Sequence, residues 1–206
     1  MDDIKKYKLE KECNLIFDNL NKSNIKYNSI SFISKDFKDI DYLKQFNINY
    51  SLFQNLKITS ESSTENNIDY FFKPIFSLKN IQNHLIQLGI SLKEDTHVSL
   101  DSIKGINSLK LLEVLLLKYI SIEDNSGLFL KLKHLKELYL SFCFNINFDD
   151  SCSNLIKLEM KYSSIKKPNT PLIMPKLEYL EIKGLYQINN KGYFDFKSLN
   201  KIKRIL

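Results

Sequence analysis

The chain has 206 residues, 43% of them hydrophobic and 26% charged, a composition that supports a substantial core and excludes global disorder. Its formal charge of +6 rests on Lys, with Arg204 the only Arg; Arg is the residue that reads bases and clamps phosphates with two hydrogen bonds, so nucleic acid is not the expected partner. No stretch reaches the ~18 apolar residues of a membrane span, and the MDDIKKYK opening lacks the apolar centre of a secretory signal. The excess of Lys, Asn and Ile, with no Ala or Trp, matches A/T-rich codons and explains the basic charge without a polyanionic ligand. Cys13, Cys143 and Cys152 are odd in number and fit no metal-ligand spacing, which suits a reducing, cytoplasmic location.

Residues 1–23 place Leu9, Cys13, Ile16, Phe17 and Leu20 on one stripe flanked by Lys and Glu, predicting an amphipathic helix. Residues 24–108 are irregular. Tyr27, Ile30 and Phe32 form one strand-like core, and Tyr50, Phe53, Leu56 and Ile58 form a second. Between these two cores, Phe37, Ile40 and Leu43 have helical spacing. The Ser- and Asn-rich segment near 59–67 reads as a polar loop. From 68 to 107 the register is ambiguous, and the preferred reading is a helix through 78–88 followed by a strand at 97–100.

From 109 to 206 the pattern is regular. Leu109, Leu112, Leu115 and Leu117 are followed by Leu132, Leu135, Leu138 and Leu140, then by Cys152, Leu155, Leu158 and Met160, and then by Met174, Leu177, Leu180 and Ile182. A fifth copy begins at Phe196, Leu199 and Ile202. Side chains two apart, such as Leu115 and Leu117, point to one face of a strand, while their neighbours point to the other. No copy can bury its apolar side alone, but stacked neighbours can.

This LxxLxxLxL spacing resembles the leucine-rich repeat family. The resemblance implies an α/β solenoid: a horseshoe with a parallel sheet on its concave face and 1–23 as an N-terminal capping helix. The family's turn position, usually Asn or Cys, is here Ile120, Cys143, Ser163 and Leu185, so the expected side-chain ladder is incomplete. The fifth copy stops at Leu206 without a polar segment, which implies a shortened array or an edge paired with or capped by something else. LIFDNL within 1–23 resembles the Leu-Ile-x-x-x-Leu core of the F-box, without its Leu-Pro opening. That second resemblance implies an alternative, a substrate receptor of a ubiquitin ligase.

Leucine-rich repeats bind partners on the concave face, and the resemblance carries this role to the outward strand residues. These are Leu116, Tyr139, Glu159 and Glu181, with Tyr179 beside them; Lys118, Lys161 and Lys183; and Tyr119, Phe142 and Tyr162. They would form an aromatic column next to a lysine column, the composition of an interface for another protein. The same positions admit a plainer reading, with Leu116, Phe142 and Phe144 covered by other parts of the chain and the charges merely solvated. His84, His97 and His134 sit in no nucleophile-and-base pattern, no phosphate-binding glycine motif occurs, and the chain carries no metal-ligand spacing. A non-enzymatic binding module without cofactor or metal is therefore expected.

Overall fold

Alternating leucines turn each short strand into a two-sided element, apolar on one face and mixed on the other. The computed structural model describes residues 29–34, 54–60, 76, 79–92, 103, 105–120, 132–146, 148, 150–165 and 171–184. They hold seven strands, β1 (Ser29–Ser34), β2 (Asn55–Ser60), β3 (Gln87–Ser91), β4 (Val114–Lys118), β5 (Glu137–Ser141), β6 (Lys157–Lys161) and β7 (Tyr179–Lys183). All lie in one sheet, in chain order, and every neighbouring pair is parallel. Among the described residues the helices are few: α1 (Lys79–His84) and two 3-10 turns, Ile106–Ser108 and Asp150–Asn154. The architecture is an all-parallel open sheet, compatible with an α/β solenoid.

The core is a pair of rows running across the strands. In register, Leu88, Leu115, Leu138, Leu158 and Leu180 form one row, each 0% exposed. Ile58, Ile90, Leu117, Leu140 and Met160 form the next, also buried. Full burial of such a side chain is worth ~1.5–3 kcal/mol, so these rows dominate the stability of the sheet. Below them the LxxL segments close tight turns, in which the N–H groups of Leu112, Leu135, Leu155 and Leu177 donate to the carbonyls of Leu109, Leu132, Cys152 and Met174.

A recurrent hydrogen bond sets where β3 to β7 begin. The carbonyls of Gln54, Ile86, Glu113, Lys136 and Ile156 each accept two successive N–H groups from the following strand's first residues. This arrangement satisfies two successive backbone donors with one acceptor at each strand start.

The same bond corrects one expectation upstream. The predicted helix through 78–88 stops at His84, and the strand that follows it is Gln87–Ser91. Leu85 N–H makes the last helical bond, to Ile81, and the N–H groups of Ile86 and Gln87 are then captured by Gln54 O at 2.8 and 2.9 Å. The strand expected at 97–100 lies outside the described residues, and β3 pairs directly with β4. Thr59 and Ser60, expected to open the polar loop at 59–67, belong to β2, paired with Ile33 and Ser34, and the rest of that segment lies outside the described residues. The helix at 1–23, with its F-box-like segment, and the fifth copy with its edge lie outside the described residues.

Candidate functional site

The site begins at the strand exits. The residue after each of β4 to β7 adopts a left-handed conformation: Tyr119 at φ 59°, Phe142 at 52°, Tyr162 at 50° and Gly184 at 62°. The N–H groups of Tyr119, Phe142 and Tyr162 donate to the last carbonyl of the next strand, those of Ser141, Lys161 and Lys183. A left-handed residue with a Cβ costs roughly 1–2 kcal/mol, and glycine is the usual occupant. Here three successive positions carry aromatic rings instead.

Neighbouring strands lie ~4.8 Å apart, which is close to the spacing of stacked rings. Tyr119 and Phe142 stack with centroids 4.9 Å apart and planes 22° apart; Phe142 and Tyr162 stack at 5.1 Å and 13°. Each such contact contributes ~0.5–1.5 kcal/mol beyond the area it buries, enough to offset much of the backbone cost. The ridge emerges from the protein along its length. Tyr119 packs against the core, Phe142 is half-buried, and Tyr162 is 46% exposed.

Beside the ridge, the outward face of the sheet carries interlocked charges. Lys157 and Lys161 both reach Glu159, at 2.9 and 3.3 Å, and Lys183 reaches Glu181 at 2.7 Å. The Tyr179 hydroxyl donates to Glu181 at 2.8 Å, and the Tyr139 hydroxyl donates to Glu137. Lys157 also lies over the rings of both Tyr139 and Tyr179, at 4.8 and 4.7 Å. The Glu159 carboxylate and the Tyr139 hydroxyl beside Lys157 hold its ammonium firmly protonated. The Lys183 ammonium, followed by the Tyr179 hydroxyl, brings the Glu181 carboxyl down to about 2. Lys118 lies 4.7 Å over the Tyr119 ring. No family model and no curated protein matches the sequence.

The sheet thus brings together the residues singled out from sequence, though not as equals. Lys118, Tyr162 and Lys183 are exposed; Leu116, Tyr119, Tyr139, Phe142, Glu159, Lys161 and Tyr179 are half-buried. Glu181 is buried, at 5% exposure, so it acts as an internal anchor for Lys183 and Tyr179. Leu116 stands in register between Gly89 and Tyr139. Lys157, which counting along the strand places on the same outward face, is a further member. It ties Tyr139, Tyr179 and Glu159 together.

The turn ladder is present where its residues allow it. Ser163 Oγ accepts from Cys143 N–H at 3.1 Å and donates to the Lys161 carbonyl at 2.9 Å. The Cys143 thiol donates to the carbonyls of Leu117 and Ser141, and burial raises its pKa to about 11. Burial therefore disfavours the thiolate form. Among the described residues no group of three or more His, Cys, Asp or Glu side chains could hold a metal ion, and no helix is long and apolar enough to cross a membrane.

Proposed function

We propose that the chain is a leucine-rich-repeat protein of the horseshoe type that binds another protein on the outward, concave face of its sheet and performs no chemistry of its own. The observation that carries this reading is the ridge of Tyr119, Phe142 and Tyr162. Three stacked rings occupy left-handed positions that favour glycine, and the ridge ends in a ring that is 46% exposed. Aromatic side chains bordered by charged ones are the usual anchors of a protein interface. The spacing of the LxxL turns and the repeated strand-start hydrogen bonds support the repeat reading.

The experiment is affinity capture with mass spectrometry on the native chain and on a Phe142→Ser, Tyr162→Ser double variant. Tyr119 is kept because it packs on the core. The expected result is a protein captured by the native chain and lost from the folded variant. A folded variant that retains every captured protein excludes the ridge as the binding surface.

A further inference from the structure

The acids and bases of the outward face lie at different depths. The side chains of Glu159 and Glu181 are 15% and 7% exposed, whereas those of Lys157, Lys161 and Lys183 are 30%, 41% and 46% exposed. Solvent therefore meets a layer of ammonium groups bordered by rings, with the carboxylates beneath. Two of those ammoniums share the single carboxylate of Glu159, and Lys161 holds the longer half of that pair, at 3.3 Å. Lys118 is exposed, and among the described residues its ammonium meets the Tyr119 ring rather than a carboxylate. In register between Lys118 and Lys161 stands Ser141. This short side chain leaves a notch between two long ones whose strands are two spacings, about 10 Å, apart.

We propose that this notch seats a carboxylate from an acidic segment of the partner protein. The ammoniums of Lys118 and Lys161 and the hydroxyl of Ser141 hold that carboxylate, and the residues flanking it lie on the Tyr119, Phe142 and Tyr162 ridge. The proposal rests on the protein-binding reading above and adds the chemistry of the partner. In this part of the face Lys118, Lys157, Lys161 and Lys183 stand against Glu137, Glu159 and Glu181. One incoming carboxylate balances that surplus through charge-assisted hydrogen bonds. A peptide fits better than a nucleic acid. It can place one carboxylate in the notch and apolar groups on the ridge, whereas a continuous phosphate backbone needs a row of free cations, and here Lys157 and Lys183 are already paired with Glu159 and Glu181.

The test uses the full chain and a fluorescein-labelled six-residue peptide of alternating Glu and Tyr, read by fluorescence anisotropy, beside labelled hexauridine. The peptide is expected to bind. Lys118→Glu should weaken it at least tenfold, and so should Ser141→Glu, which puts a carboxylate of the protein's own into the notch. Lys110→Glu makes the same change in net charge as Lys118→Glu, at an exposed turn residue off the sheet, and should leave binding within twofold. Circular dichroism checks folding, and either notch variant suffices alone if the other does not fold. Equal weakening by Lys118→Glu and Lys110→Glu overturns the proposal in favour of diffuse attraction. Tighter binding of hexauridine, lost in Lys118→Glu, overturns it in favour of nucleic acid. Absence of peptide binding overturns the acidic seat as well. In that case partner capture that still depends on Phe142 and Tyr162 shows that the protein-binding reading survives without the seat.

Discussion

The ring of Tyr162 lies against the Cα of Gly184, so close that a Cβ built on the glycine would stand 2.6 Å from Tyr162 Cε1 and closer still to Cδ1. Gly184 also has a φ of 62°, so the ridge ends on a residue suited to both the left-handed turn and the ring above it. Gly184→Ala should therefore displace Tyr162 and strain the turn, lowering stability by about 1–3 kcal/mol. Urea denaturation of the two proteins measures this. An alanine variant as stable as the native chain would mean that the ring and the turn are not coupled.

Ser163 is 0% exposed, and its hydroxyl bridges the Cys143 N–H and the Lys161 carbonyl. Ser163→Ala removes little volume but leaves a buried N–H without its partner, at a cost of about 1–3 kcal/mol. Leu111→Ala, at a side chain 45% exposed, should change stability by less than about 0.5 kcal/mol. The contrast between the two in one denaturation series checks that the turn ladder contributes and that the exposed leucine does not.

Acid should weaken the outward face in a defined window. Lys183, and after it Tyr179, depress the Glu181 carboxyl from its ordinary 4.5 to about 2. A carboxylate depressed in the folded state contributes stability that is fully present above its unfolded value and is lost as pH falls through the folded one. Stability should therefore decline from near pH 4.5 to near pH 2, and Glu181→Gln should make that decline shallower. Urea midpoints collected across this range read the slope directly. Identical slopes for the two proteins would show that the pairing with Lys183 does not contribute in solution.

Much of the sheet is legible from leucines two apart, because the alternation of Leu115 with Leu117 and of Leu138 with Leu140 is a local property of the strand. The segment around Leu85, Leu88 and Ile90 is not. Leu85 and Leu88 suit a helix while Leu88 and Ile90 suit a strand, and what decides is the distant carbonyl of Gln54, which captures two N–H groups. The outward residues can likewise be assigned to a face by counting along each strand, and the aromatic column follows from that count. Their inequality cannot be read in this way. The burial of Glu181 and the bridging position of Lys157 come from side chains on neighbouring strands meeting across the sheet. The left-handed turns are signalled only by Gly184, since Tyr and Phe do not ordinarily mark that conformation.

The aromatic ridge is proposed as a binding surface whose contribution to the fold is modest. One paired measurement tests this most directly: urea stability and partner capture for the Phe142→Ser, Tyr162→Ser variant beside the native chain. Removing the two ring stacks costs about 0.5–1.5 kcal/mol each beyond buried area and leaves the core rows of Leu115, Leu138 and Leu158 untouched. The predicted result is a folded, cooperatively unfolding variant that no longer captures its partner. Global unfolding of the variant, or full capture by a folded one, would contradict it.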